Sequence, residues 1–343
     1  MHVAGAKVMS LAISTEVETE HRIPILDVSS FLAGEPGAAR ALADEVATTC
    51  LDTGFLVISN HGVPQAIVDR AFTAAADFFA LDEQSKLALK VGAENIGYLP
   101  YGAQTVRTST VHKNTKPNFS ESFYITTPDP DPAKGESDHD RNQWPPGMDE
   151  FKAAQISYFQ TMRVLAHRML PAFALALDLP EDYFESNFTG PSSTVRLIEY
   201  APQLQDESDL FGFAPHTDGS FITFLPQSKY PGLEVRTKSG EWIRPPGVAG
   251  TFVVNTGEML AHYSNDRFVP TPHRVINRRP DKRHAMPFFY GPNRKKVISC
   301  VPTCVSESNP PRYQPSTSAE RNAIKDKMNF PHRQKPEFAS ESY

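Results

Sequence analysis

The sequence predicts a mainly β protein with flanking helices: a double-stranded β-helix, or jelly roll, forms the core, and a helical N-terminal part packs against it. Three observations carry this prediction. After Leu179, short runs rich in β-branched and aromatic residues follow one another closely: TVRLIEY, FITFL, GLEVRT, WIRPP, TFVVN, HRVIN and AMPFFY. Turn residues separate them at Gly232, Ser239-Gly240, Gly247, Asn265-Asp266 and Pro280-Asp281, as in antiparallel double-sheet barrels. Before Leu179 the apolar residues instead recur at three- and four-residue steps, the spacing of helices. The 30 prolines in 343 residues point to many loops rather than a helical bundle.

In chain order, residues 1–21 read as a loose leader, and IPILDVSSF from Ile23 as a short strand. Alanine and leucine at helical spacing over 37–50 predict a helix. Gly54 breaks it, and Phe55-Leu56-Val57-Ile58 reads as a buried strand closed by the Asn60-His61-Gly62 turn. A second helix is expected from Pro64, through Phe72, Ala76 and Phe79, towards Leu89, with proline suited to its first turn. Phe123-Tyr124-Ile125 is a strand candidate. The stretch 127–147, rich in proline, aspartate and glycine, predicts an exposed loop. One long helix is expected from Met148 to Leu177, with Phe151, Tyr158 and Phe173 on its core stripe. A last helix is expected over 318–328. The chain thus divides into 22–146, an N-terminal region; 147–189, a connecting helix; 190–293, the jelly-roll core; and 294–343, a C-terminal helix and tail.

A net charge of −6 offers no basic excess to neutralise phosphates, which argues against nucleic acid or an anionic membrane as partner. The first twenty residues hold no apolar stretch of signal-peptide or membrane-span length, so a cytoplasmic location is the default expectation. Cys50, Cys300 and Cys304 are too few for a disulfide framework. Cys300 and Cys304 lack a second pair to complete a metal site.

The chemistry centres on His216-Thr217-Asp218, just before FITFL. On an extended chain, side chains two apart share a face, so one imidazole and one carboxylate can converge on an ion. His273, opening HRVIN, lies far along the chain, but a jelly roll brings such strands together. Two histidines and one carboxylate on one face of an octahedral metal leave three positions open, the arrangement of non-haem iron(II) oxygenases. The same set also suits catalytic zinc, though no Glu or His stands at suggestive spacing to act as a hydrolytic base. Strand parity puts Arg283, Ala285, Pro287 and Phe289 on one face. An inward Arg283 would need an anionic ligand, because a guanidinium buried without a partner is costly.

Several motifs then make the chain similar to a known family. IPILDVSSF, GFLVISNHGV, Gly97-Tyr98, PNFSESFYI and NQWPP in the first half, and VRLIEYAPQ, HTDGSFITFLPQ, YPGLEV, VVNTGEML, SNDRF and HRVIN-RRPDKRHAMPFF in the second, resemble the isopenicillin N synthase-like iron(II)- and 2-oxoglutarate-dependent dioxygenases. The resemblance runs from about Ile23 to Asn293. It implies that His216, Asp218 and His273 are the iron ligands and that Arg283 binds the distal carboxylate of 2-oxoglutarate. It implies that Arg196 and Tyr200, on one face of VRLIEY, contact co-substrate or substrate, and that Phe289 lines the substrate pocket. The family's usual serine two residues after the arginine is Ala285 here, which leaves the carboxylate site one donor short. With O2 as oxidant, the expected reaction hydroxylates a C–H bond of a small molecule and releases succinate and CO2.

Tyr98 and Tyr101, with Arg107, Lys116 and Phe123, are further pocket candidates from the segment 98–125. Two alternatives remain beside the dioxygenase. One is an iron oxidase of the isopenicillin N synthase type that needs no keto acid, in which Arg283 would grip the substrate. The other is a non-catalytic jelly-roll binding protein. His61 is expected to satisfy its turn, and His262 and His284 to serve surface or core roles.

Overall fold

The computed structural model describes residues 23–330, apart from 93–94, 128–140, 206 and 208. The expected leader and most of the expected loop over 127–147 fall outside the described residues.

The strands of the two main sheets are β1 (Ile25–Asp27), β2 (Phe55–Ser59), β3 (Gly97–Leu99), β4 (Ser120–Thr126), β5 (Ser192–Tyr200), β6 (Phe213–His216) and β7 (Ile222–Pro226). They continue with β8 (Leu233–Arg236), β9 (Trp242–Ile243), β10 (Phe252–Thr256), β11 (His273–Val275), β12 (Arg283–Ala285) and β13 (Phe288–Gly291). A large sheet runs β1-β2-β10-β7-β13-β5-β4-β3, with β12 also paired to β5, and a smaller sheet runs β6-β11-β8-β9. β1 and β2 pair in parallel, whereas β7, β10, β13 and β5 join antiparallel.

One apolar core lies between the helices and the outer face of the large sheet, and a second lies between the two sheets. β2 shows why its sequence is apolar without alternation: Leu56 and Ile58 enter the first core, Phe55 and Val57 the second. β5 is divided in the same way. Val195 and Leu197 face the helices, while Ile198 and Tyr200 face the space between the sheets. This alternation is what delivers Arg196 to the same interior.

The helices are α1 (Ser29–Ala33), α2 (Ala38–Asp52), α3 (Gln65–Phe79), α4 (Glu83–Leu87), α5 (Asp149–Arg168), α6 (Leu170–Ala176), α7 (Glu258–Tyr263) and α8 (Ser318–Asn329). Phe78 of α3 meets Phe123 and Phe151 at ring-centroid distances of 4.6 and 5.2 Å, tying α3, α5 and β4 together. Each such fully buried ring contributes about 1.5–3 kcal/mol of transfer free energy.

Two expected helices are broken. The one from Pro64 to Leu89 stops at Phe79 and restarts after Asp82, whose carboxylate accepts from Ser85 N at 2.9 Å and caps the new turn. The one from Met148 to Leu177 breaks at Met169, because Pro171 has no N–H to return to the preceding turn and instead opens α6. AMPFFY is interrupted too, between β12 and β13 at Pro287. The carbonyl of Pro287 still accepts from Arg196 N at 3.1 Å, so the alternation carries across the break.

Candidate metal centre

Three residues converge where the small sheet meets the interior. β6 ends at His216 and β11 begins at His273, and the two are direct partners in the antiparallel ladder. Their rings lie 4.2 Å apart between centroids. Asp218 follows in the turn towards β7, and its Oδ1 lies 3.6 Å from Nε2 of each histidine. One donor atom from each of the three lies within 4.8 Å of the others. Among the described residues this is the one such cluster of histidine, cysteine and acidic side chains.

The rings are aimed by their own strands. His216 Nδ1–H donates to the Ala214 carbonyl at 2.9 Å, and His273 Nδ1–H donates to the Thr271 carbonyl at 3.2 Å. Both hydrogen bonds fix the tautomer that turns a lone pair on Nε2 towards Asp218. Burial, with His273 beside it, pushes the His216 pKa down to about 4. Burial opposes ionisation of Asp218, but the two imidazoles outweigh it and hold the carboxyl well below its usual range. An ionised carboxylate and imidazole lone pairs facing one another are the donor set of a divalent transition metal.

The triad opens on a cavity of about 220 Å³ between the sheets. Arg283, Ala285, Pro287 and Phe289 line one wall, with Arg196, Ile198 and Tyr200 beside them. Arg283 Nε donates to the Tyr230 carbonyl at 3.0 Å, its guanidinium lies 5.1 Å from the Tyr200 ring, and its Nη1 is a buried donor without a partner. Gly232 makes room for it: a Cβ there would meet Arg283 Cδ and Nε at 3.0 Å. Arg196 is held between the rings of Tyr124 and Phe213, at 4.8 and 4.6 Å. It donates through Nε to Ser122 Oγ at 2.9 Å and through Nη2 to Gln104 Oε1 at 2.8 Å.

A family model described as the 2OG-Fe(II) oxygenase superfamily matches residues 191–292. Another, described as the N-terminal part of non-haem dioxygenases in morphine synthesis, matches 23–147. A 2-oxoglutarate-Fe(II) type oxidoreductase of Emericella nidulans is 33% identical over 332 residues, covering 93% of this chain and 94% of that protein. The chain belongs to the 2-oxoglutarate–iron(II) oxygenases. Its fold agrees: a full-length Neurospora crassa protein solved in complex with alpha-KG and thymine superposes with a TM-score of 0.78 at 26% identity, over 91% of this chain and 98% of that one. JOX2 in complex with 2OG, Fe and JA gives 0.72 at 25% identity, over 89% and 85%.

The oxygenase therefore works with iron(II), 2-oxoglutarate and O2, and His216, Asp218 and His273 form its iron-binding triad. The keto-acid-independent oxidase and the non-catalytic binding protein are not favoured. The donor set fits the metal, and the orphaned Nη1 of Arg283 fits a carboxylate.

The structure brings His216, Asp218, His273, Arg283, Arg196, Tyr200 and Phe289 to one cavity. Two expected pocket residues are corrected. Tyr98 is 2% exposed in the core under the helices, where its hydroxyl donates to Glu121 Oε2 at 2.5 Å. Tyr101 is partly exposed, and its hydroxyl donates to Glu199 Oε1 at 3.2 Å. Both belong to the other side of the large sheet. Phe123 also packs in that core, and Lys116 pairs with Glu207 at the surface.

Their segment does reach the cavity, through Gln104, Val106 and Thr108, and α8 adds Lys325 and Asn329, with Phe330 just beyond it. Residues 104–108 follow no regular strand, so no periodicity in the sequence could orient them. Lys325 Nζ donates to the Thr217 carbonyl at 2.7 Å and to Glu258 Oε1 at 2.6 Å. Asn329 Oδ1 accepts from Arg107 N at 2.8 Å, so the end of α8 spans both banks of the cavity.

The three other histidines singled out in the sequence have structural partners. His61 Nδ1 accepts from Val63 N at 3.2 Å within its turn, and His284 lies 2.9 Å from Glu199. His262 lies beside Arg321. The three cysteines are free thiols.

Proposed function

We propose that this oxygenase hydroxylates a compact small molecule carrying a carboxylate or a similarly strong acceptor, with Arg283 binding the distal carboxylate of 2-oxoglutarate and Arg196 receiving the substrate. The single observation behind this reading is a charge imbalance on the cavity wall. Iron(II), ionised Asp218, a 2-oxoglutarate dianion and Arg283 neutralise one another, and Lys325 is paired with Glu258. Arg196 is then the cation left without a counter-charge among the described lining residues: its own acceptors, Ser122 and Gln104, are neutral. An uncompensated guanidinium in a mostly apolar cavity is costly, and an anionic or strongly accepting substrate offsets that cost.

When bound, the iron centre with O2 supplies the oxidation that replaces C–H by C–OH, while 2-oxoglutarate becomes succinate and CO2. The chain's own residues contribute position. Arg283 and Tyr200 orient the co-substrate, Arg196 and Gln104 orient the substrate, and Phe289, Val106 and Phe330 keep the reacting carbon in dry surroundings. Beside the divisions at 22–146, 147–189 and 190–293, the C-terminal segment from 294 belongs to this reading through Lys325, Asn329 and Phe330, which complete the pocket. No described helix is long and apolar enough to cross a membrane. The acidic net charge offers no basic excess for nucleic acid or an anionic membrane surface, which fits an enzyme acting on a small-molecule metabolite.

The test uses purified protein with iron(II), 2-oxoglutarate and matched pairs of carboxylic acids and their neutral amides, with succinate counted against consumed compound. Acids are expected to stimulate succinate release over their amides, and Arg196→Leu to remove that preference. A preference for the amides in the wild type contradicts the substrate class. Turnover without any keto acid contradicts the co-substrate assignment.

A further inference from the structure

Asp218 does not present two equivalent oxygens. Oδ1 faces the histidines, while Oδ2 accepts from Thr223 Oγ1 at 2.7 Å and from Asn255 Nδ2 at 2.8 Å. Both donors are almost wholly buried, so water does not compete for the oxygen they hold. They are also direct partners across the β7–β10 ladder, Asn255 opposite Thr223. The large sheet thus supplies a paired clamp for a carboxylate that hangs from a turn of the small one. Ser220 Oγ lies 2.8 Å from Thr223 Oγ1 and occupies the hydroxyl's other side.

The backbone around Asp218 is held as firmly. Its carbonyl accepts from Glu258 N at 2.8 Å, and the Ser220 carbonyl accepts from Met259 N at 3.1 Å. Gly257 permits this approach, since a Cβ there would lie 2.0 Å from the Ser220 oxygen.

We propose that Thr223 and Asn255 are positioning residues that restrict Asp218 to binding iron through Oδ1 alone. This rests on the triad holding iron(II). A carboxylate with both oxygens free can take two positions on a metal. Two imidazoles and a single carboxylate oxygen leave three positions of an octahedral ion. The keto acid needs two of them and O2 the third, so a two-oxygen Asp218 would remove one that 2-oxoglutarate requires. The clamp thereby acts on co-substrate binding through the aspartate, without touching the co-substrate.

Thr223→Val keeps the β-branched shape of its strand position, Asn255→Ala removes the second donor, and Thr223→Ser restores the hydroxyl. The full-length variants would be loaded anaerobically with iron(II), or with cobalt(II), whose visible absorption reports coordination number, and then titrated with 2-oxoglutarate. Melting of the metal-free proteins serves as the control for folding. The expected result is a clearly weaker 2-oxoglutarate affinity in iron(II)-saturated Thr223→Val and Asn255→Ala, beyond the roughly 10–100-fold loss in metal affinity or activity that removing a partner behind a metal ligand usually brings. A changed cobalt spectrum should accompany it, and Thr223→Ser should recover both.

Wild-type affinity and spectrum in both variants would overturn the clamp. So would a lowered melting temperature with metal and co-substrate binding unchanged, which would leave the two residues a purely structural role. Failure of the wild type itself to bind iron(II) would instead sink the triad assignment on which the clamp depends.

Discussion

Two buried polar clusters lie on opposite faces of the strand β5, and only one of them is a site. On the cavity face, Arg196 and Tyr200 stand with the triad and Arg283. On the helix face, one residue along, Glu199 pairs with His284 at 2.9 Å and Lys282 at 2.6 Å. Its ladder partner Glu121 takes Lys86 Nζ at 2.7 Å and the Tyr98 hydroxyl at 2.5 Å. The helix-face cluster answers its own charges. The cavity cluster leaves a buried Arg283 donor unpartnered and turns the imidazole lone pairs and Asp218 Oδ1 towards one another. Burial and charge are common to both. What sets the cavity cluster apart from the helix-face one is a buried guanidinium donor left unsatisfied beside the triad.

The comparison breaks most visibly at the triad. His273→Ala is expected to abolish iron binding and turnover while the fold survives, read as metal content and activity beside the far-ultraviolet dichroism of the metal-free protein. Lys86→Met should do the reverse. It leaves Glu121 buried without its cation at a cost of about 3–5 kcal/mol in stability, with iron and 2-oxoglutarate affinity unchanged in binding titrations.

Ala285→Ser sharpens the contrast from within the cavity, since position 285 lines the wall next to Arg283. A hydroxyl there should add a hydrogen bond of about 0.5–3 kcal/mol to the co-substrate carboxylate. That corresponds to roughly twofold to a hundredfold tighter binding. Tyr200→Phe in both backgrounds would show by non-additivity whether Tyr200 reaches the same carboxylate.

The satisfied cluster adds an effect that appears only at low pH. Burial would raise the Glu199 pKa, but His284 and Lys282 hold it at about 2, below an ordinary value of 4.5. Because the folded value is depressed, this carboxylate stabilises the fold fully above pH 4.5, and the contribution fades as pH falls towards 2. Glu199→Gln should therefore flatten the acid limb of a melting-temperature-against-pH curve.

Much of the site was legible because it sits on regular strands. Parity put Arg283, Ala285, Pro287 and Phe289 on one face of their strand and Arg196 with Tyr200 on one face of theirs, and both faces line the cavity. The spacing of His216 and Asp218 carried the triad, and the jelly-roll pattern carried His273 to it. Legibility ended where regular structure did. Gln104, Val106 and Thr108 come from an irregular segment, and Asn329 with Phe330 from the end of a helix whose docking depends on distant partners. Tyr98 was misjudged for a different reason: β3 is an edge strand of three residues, too short for its own pattern to show which face is buried. The breaks at Asp82 and Met169 follow from capping and proline chemistry that apolar spacing alone does not display.

The central claim is that the unpartnered donor of Arg283 exists for the distal carboxylate of 2-oxoglutarate. Pyruvate carries the same keto-acid head without that carboxylate, so paired anaerobic titrations of the iron(II)-loaded protein isolate the contact. A hydrogen bond to a charged group contributes about 1.5–3 kcal/mol. 2-Oxoglutarate should therefore bind at least about tenfold more tightly than pyruvate, since 1.4 kcal/mol is a factor of ten. Arg283→Leu should bring the two affinities together. Equal affinities in the wild type, or a preference that survives Arg283→Leu, would contradict the assignment.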